Sequence, residues 1–251
     1  GSVLSYRSES ALPSGTLVRV PLGSRETLGV VWDAQSAQAT GEFDPAKIRS
    51  VAGTLEGIAP LSVTWQQLVT FTANYYQRSL GEVALAALPP QLRELSPAQM
   101  QRRLKRNKPT PAPAVTNAGD SGLPRPNHAS GPSLTAEQTA ALDQIESQPG
   151  PFLLFGATGS GKTEVYLQAV QTLLSASPQA QALIMVPEIN LTPQLEARFR
   201  ARFAPLYGDD AVVSLHSGMT NPQRLKSWLA AHSGQARMVL GTRMAVFASL
   251  P

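Results

Sequence analysis

Apolar residues recur at Leu17, Val18 and Val20, and again at Leu28, Val30 and Trp32, in a near-alternating pattern. Such a period of about two predicts two short strands over 16–32, joined by a turn at Gly23-Ser24-Arg25. Residues 48–55 add a third strand. From residue 63 the spacing becomes helical, with Trp65, Leu68, Val69, Thr72 and Tyr76 on one side. A second helix follows over 81–88 and is stopped by Pro89-Pro90. The first half therefore reads as a small β-rich domain with appended helices.

Strands and helices alternate in the second half. Residues 152–155 predict a buried strand, 162–175 a helix, 182–186 a strand, 193–203 a helix and 212–215 a strand. Asn221-Pro222 caps a helix running to about residue 231, with proline at its first position, where a missing N–H costs nothing. Residues 238–240 make the last strand. Regular βα alternation implies a parallel sheet covered by helices. Between the halves, 108–132 is rich in proline and small polar residues and has no aromatic, so it reads as an extended linker. The expected division is 1–98, 99–132 and 133–251.

A length of 251 residues suits two domains, and 42% hydrophobic with 15% charged residues is apolar enough for cores in both. The net charge of +4 is concentrated in one place: 102–108 carries five bases, and outside 101–125 the charges nearly cancel. That run attracts a polyanion in a salt-dependent way, or forms a solvated helix end. Cysteine is absent, which excludes disulfides and thiolate metal sites and fits a reducing cytoplasm. Apolar runs are only strand length, and no signal peptide opens the chain. Gly1-Ser2 reads as the remnant of a protease cut, and the chain as a piece of a longer protein.

Residues Gly156-Ala157-Thr158-Gly159-Ser160-Gly161-Lys162-Thr163 match GxxxxGK[ST] at every fixed position. Glycines let backbone N–H groups turn inward around a phosphate at the positive end of the following helix. Lys162 then reaches the β- and γ-phosphates of ATP, and the Thr163 hydroxyl ligates Mg²⁺. Upstream, Thr135 and Gln138 form a capping box. Gln138 also has the donor and acceptor needed to read adenine, and both roles stand open.

Four segments of the second half occur in a fixed order: GATGSGKTEVY, VPEINLTPQ (186–194), LHSG (215–218) and GTRMAVFASLP (241–251). With VRVPLG (18–23) and NYYQRSLGEVALAALPP (74–90) from the first half, they resemble the PriA (primosomal protein N′) family of superfamily 2 replication-restart helicases. The resemblance implies a multidomain α/β architecture: a small β-rich DNA-binding domain, then part of a RecA-like P-loop helicase lobe that stops before the acidic Walker B box. It implies an ATP-dependent 3′-to-5′ DNA helicase acting at stalled or branched forks, bacterial and cytoplasmic near the nucleoid. Primosome proteins and single-stranded-DNA-binding protein are the implied partners, and zinc belongs to a later, cysteine-rich part. No membrane is implied.

By the same resemblance, Thr192, Gln194 and Thr242 donate to strand phosphates and Arg243 adds charge, contacts that position DNA without reading its sequence. From the residues alone, Arg243 equally suits a surface ion pair, Pro187-Glu188 a simple turn, and His216 a local hydrogen bond. In the first half the resemblance points to a pocket for the 3′ end of a nascent strand. There Tyr6 stacks on the terminal base, Gly23 permits close approach and Arg49 meets a phosphate. Ser5 stands where the family commonly has Asp and accepts a hydrogen bond more weakly. Tyr6, Tyr75 and Tyr76 also suit plain packing. Without the Walker B acids, the 251-residue piece itself is expected not to turn over ATP. Two other classes compete: a non-catalytic fork-binding module with a structural P-loop, and a P-loop enzyme acting on small molecules.

Overall fold

The structure, a computed structural model, describes residues 4–33, 48–95, 97–106, 133–187 and 192–251. The chain divides into two compact units, residues 1–110 with 183–251, and residues 111–182.

In the first unit, β1 (Leu17–Leu22) pairs antiparallel with β2 (Arg25–Val30) and with β3 (Gly53–Thr54), in the order β2-β1-β3. Leu22 faces Arg25, so the hairpin turns on Gly23-Ser24, and Gly23 at φ 63° supplies the positive φ that a first loop residue needs here. The third strand is much shorter than its expected span; Ser50 instead forms an isolated bridge to Arg7. Helix α1 (Val63–Tyr75) starts at Ser62, whose hydroxyl accepts from the Trp65 N–H. Helix α2 (Leu80–Ala87) is capped by Ser79 in the same way.

Two further helices, α3 (Gln91–Glu94) and α4 (Pro97–Arg106), occupy a stretch whose later part the sequence assigns to linker. The reason for the difference is burial. Met100 is buried and Leu104, four residues on, packs partly buried against the same core, an i, i+4 pair that holds the helix despite its arginines. The rest of the expected linker, 107–132, lies outside the described residues, as does Glu188 of the 187–188 turn.

Buried Arg19 on β1 closes this corner. Its guanidinium donates to the carbonyls of Leu92 (2.7 Å), Arg93 (2.8 Å) and Leu95 (2.6 Å), satisfying acceptors left open at the end of α3. Burial holds its pKa below the ordinary arginine value, an effect partly offset by Glu26.

The same unit contains a second sheet of β4 (Ala182–Met185), β5 (Val212–Leu215) and β6 (Met238–Gly241), in the order β4-β6-β5. β5 and β6 run parallel, Val213 opposite Val239. Helix α7 (Pro193–Tyr207) buries Phe199 and Phe203 and runs one turn past its expected end, carrying Pro205 in its last turn before Gly208 (φ 91°) stops it. Helix α8 (Asn221–His232) is capped by Thr220, not Asn221. The Thr220 hydroxyl meets the Gln223 N–H and the Gln223 side chain returns to the Thr220 N–H, a reciprocal pair that fixes the start one residue earlier. Leu225, Trp228 and Leu229 of α8 and Phe247 join the core of the N-terminal strands and helices.

The second unit holds α5 (Ala136–Ser147) and α6 (Lys162–Ala176), with the Gly-rich loop between them. Residues 152–155 do not form the expected buried strand. Leu153 is 90% and Phe155 93% exposed, and among the described residues no strand pairs with them. A β-conformation needs a neighbour for its N–H and C=O groups, and hydrophobicity alone does not supply one.

Candidate nucleotide and nucleic-acid sites

The loop 156–163 has the backbone a phosphate cradle needs. Gly159 (φ 84°) and Gly161 (φ 79°) adopt left-handed conformations that side chains resist, and Gly161 is the N-cap of α6. A Cβ on Gly156 would press on the Ser160 hydroxyl, whereas one on Gly159 would meet only open space. Residues 157–160 are exposed and Thr163 is half-buried. The Lys162 ammonium rests on the carbonyls of Gly156 (2.6 Å) and Ala157 (2.7 Å), so the loop curls around a positive charge. These features fit a nucleoside triphosphate: backbone donors and Lys162 would hold its phosphates, and Thr163 would face the accompanying Mg²⁺.

Gln138 fulfils its capping role. Its carbonyl accepts from the Thr135 N–H at 2.9 Å while its amide donates to the Ser160 carbonyl at 3.1 Å. The second bond ties α5 to the phosphate loop, and it accounts for the tight space at Gly161, where a Cβ would collide with the Gln138 amide. In this arrangement Gln138 holds the loop; an adenine would have to compete for the same amide.

Tyr6, Gly23 and Arg49, far apart in sequence, are gathered around one hairpin turn. The Tyr6 hydroxyl donates to the Pro21 carbonyl (3.0 Å), and Arg49 donates to the Gly23 carbonyl (2.8 Å). The Arg7–Ser50 bridge brings these segments together: the Arg7 N–H meets the Arg49 carbonyl and the Val51 N–H meets the Arg7 carbonyl. Tyr6 is half-buried, and Ser5, Gly23 and Arg49 are exposed. Anchoring the Tyr6 hydroxyl to backbone orients its ring without using up the ring face. Tyr75 and Tyr76 are not core aromatics: they are 69% and 66% exposed and stand in ring contact with each other, Tyr75 also stacking on Phe71.

The remaining candidates lie at the carboxyl ends of the second sheet. The Val186 N–H bonds the Gly241 carbonyl and the Thr242 N–H bonds the Leu215 carbonyl, so the chain leaves β4, β5 and β6 side by side. Crevices at such strand ends are where open α/β sheets bind ligands. Thr192 is the N-cap of α7, its hydroxyl accepting from the Leu195 N–H, and both it and Gln194 are exposed. Arg243 is exposed, but Thr242 is buried to 3%. Thr242 therefore packs inside the turn, and only Arg243 of the pair is presented to solvent. His216 lies 3.9 Å from Glu196, linking the segment after β5 to α7. Among the described residues no group of acidic, histidine or cysteine side chains could hold a metal. No described helix is long and apolar enough to cross a membrane.

Sequence reasoning missed Ser62, Trp65 and His232, which join the two sheets' surroundings. His232 is buried, with Nε2 2.9 Å from the Ala59 carbonyl, Nδ1 2.9 Å from the Ser249 hydroxyl and its ring stacked on Trp228. A carbonyl only accepts, so Nε2 carries the proton and Nδ1 accepts from Ser249. Burial lowers its pKa below the usual histidine value, with the Ala59 bond opposing. The serine ahead of α1 was a readable cap signal; nothing local marks His232, whose partners lie 17 and 173 residues away.

Comparison with known proteins matches two stretches of the chain to two families. Residues 2–89 match the family described as the 3'DNA-binding domain (3'BD) of PriA, and residues 135–250 match the DEAD/DEAH box helicase family. The replication restart protein PriA of Haemophilus influenzae is 30% identical over 298 aligned residues, covering 94% of this chain and 39% of the relative. PriA of Helicobacter pylori is 30% identical over 247 residues, 98% of this chain and 33% of the relative. PriA of Bacillus subtilis is 40% identical over 120 residues, 46% of this chain and 14% of the relative. The chain thus spans well under half the length of these relatives.

Proposed function

Because this chain belongs to the PriA family of replication restart proteins, we propose that it is the end-binding and nucleotide-binding part of an ATP-dependent DNA helicase. The whole protein would move 3′ to 5′, recognise stalled or branched forks and begin primosome reassembly. Its partners would be primosome proteins and single-stranded-DNA-binding protein, in the cytoplasm near the nucleoid. Zinc would belong to regions outside this chain. Functionally, 1–98 reads the DNA end, 99–132 connects, and 133–251 supplies the first part of the motor.

The observation that carries this reading is the Gly-rich loop, with left-handed Gly159 and Gly161 and with Lys162 seated among its carbonyls. On nucleotide binding, Lys162 would exchange those carbonyls for phosphate oxygens, and the loop N–H groups would take the remaining charge. Mg²⁺, when bound, would neutralise charge on the β- and γ-phosphates. Tyr6 would stack on a terminal base with Arg49 beside its phosphate, while Arg243, Thr192 and Gln194 would grip the strand backbone. Buried Thr242 would act by shaping the turn.

The test compares wild-type chain with Lys162→Ala and Tyr6→Ala. Lys162→Ala should abolish binding of a fluorescent ATP analogue and leave DNA affinity intact. Tyr6→Ala should weaken binding to a recessed 3′ end by about 5- to 140-fold, the loss of one stacking contact, and leave nucleotide binding intact. The 1–251 chain, which carries no acidic Walker B box, should show no DNA-stimulated ATP turnover. Nucleotide binding indifferent to Lys162, or end binding indifferent to Tyr6, would refute the reading.

A further inference from the structure

The turn that carries Arg243 is held at two ends by different parts of the chain. At its start, the Thr242 N–H bonds the Leu215 carbonyl, and Gly241 leaves no room for a side chain against Ala245 and the Leu215 carbonyl. At its finish, side-chain bonds tie it to the N-terminal region and to α8. The Trp65 indole N–H donates to the Phe247 carbonyl at 3.1 Å, and the Ser62 hydroxyl donates to the Leu250 carbonyl at 3.3 Å. His232 bridges Ser249 to the Ala59 carbonyl. Phe247 packs in the core that also holds Trp65, whose ring lies 6.4 Å from Trp32.

Residues 55–65 are in turn fastened to the end-binding hairpin. The Leu61 N–H bonds the Gly15 carbonyl, and the Leu55 N–H bonds the Leu17 carbonyl at the start of β1. A Cβ on Gly15 (φ 87°) would run into the Leu61 backbone, so the approach is as close as a chain allows. β1 leads directly to the turn where Tyr6 and Arg49 are anchored. A continuous hydrogen-bonded path thus joins the hairpin to the far end of the Arg243 turn.

We propose that Trp65 is a positioning residue for the strand-gripping turn: by holding the Phe247 carbonyl, it places Arg243 against the nucleic-acid backbone. This rests on reading Arg243 as a strand contact. The turn is a single 3-10 segment, Arg243–Phe247, so a displacement of Phe247 carries over to Arg243 within five residues. Removing the indole N–H frees one end of that segment while the sheet still holds the other. The N-terminal domain then serves strand binding even where no DNA end is present.

The experiment measures affinity of the 251-residue chain for circular single-stranded DNA, which offers no 3′ end, in wild type, Trp65→Phe, Arg243→Ala and the double variant. Trp65→Phe keeps an aromatic ring and removes the donor. Loss of one such bond should weaken binding about 3- to 10-fold. The double variant should bind no more weakly than Arg243→Ala alone, and ATP-analogue affinity should stay unchanged. A Trp65→Phe chain that binds like wild type, or losses that simply add, would overturn the proposal. If Arg243→Ala itself binds normally, the strand-contact reading fails and takes this one with it, which separates the two failures. In unmodified protein, the three indole N–H resonances, assigned from single Trp→Phe variants, give a check that does not depend on any variant's stability. The Trp65 signal should move on saturation with circular strand and stay fixed in Arg243→Ala; a Trp65 signal unmoved in wild type overturns the proposal.

Discussion

Replacing His232 by phenylalanine would remove a side chain that joins α8, the 247–250 segment and residue 59. The ring size and the stack on Trp228 (4.8 Å between centroids, 11° between planes) survive, but both 2.9 Å hydrogen bonds are lost. The Ala59 carbonyl and the Ser249 hydroxyl then lose a partner in a site where His232 is only 6% exposed. Two net hydrogen bonds, together with the penalty for leaving buried groups unpaired, come to about 2–4 kcal/mol of stability. The native ring titrates below its ordinary value because burial disfavours the charged form. The unfolded chain, with a histidine pKa of about 6.5, therefore binds the proton more readily. His232 contributes fully above that pH, and its contribution falls as pH drops below it, levelling off once the folded pKa is passed. The slope from this one group cannot exceed about 1.4 kcal/mol per pH unit. Urea unfolding of wild type and His232→Phe between pH 5 and 8 measures this. The difference in stability should be largest at pH 8 and should shrink towards pH 5. A difference that is constant with pH, or grows on acidification, would refute the assignment of a neutral, buried His232 ring.

Arg19→Met should destabilise the N-terminal region by about 2–4 kcal/mol, read by denaturant unfolding, because three carbonyls at the end of α3 lose a charged donor. Gly161→Ala should weaken nucleotide binding at least tenfold in a calorimetric titration. The left-handed backbone at residue 161 resists a side chain, and the new methyl displaces the Gln138 amide that braces the loop.

The elements that were legible in the sequence are those whose instructions are local. The paired Thr135 and Gln138 sit within one turn of what they cap, so their pattern survives as text. The β1–β2 hairpin was equally plain, because alternation and a Gly-Ser turn specify both register and loop. Segment 152–155 shows the opposite case. Its apolar run describes a strand that would be buried once paired, and pairing is a property of another part of the chain. Helix α4 was hidden by its bases, since two apolar residues four apart are weak evidence until a core is there to receive them. The Gly-rich pattern of 156–163 was readable residue by residue, and Gly159 and Gly161 take the left-handed conformations that glycines there permit. Three features came only from folding: the burial of Thr242, the gathering of Tyr6, Gly23 and Arg49, and the bridge through His232.

The seating of Lys162 on the Gly156 and Ala157 carbonyls bears on how fast and how selectively the loop fills. In the proposed role, an incoming triphosphate would meet a cradle already closed on an internal cation, so entry would be an exchange of oxygen partners for one ammonium. Weak oxyanions that cannot outcompete two well-placed carbonyl oxygens would be turned away at that step. The lysine would thereby act as a threshold on occupancy before it acted on any chemistry.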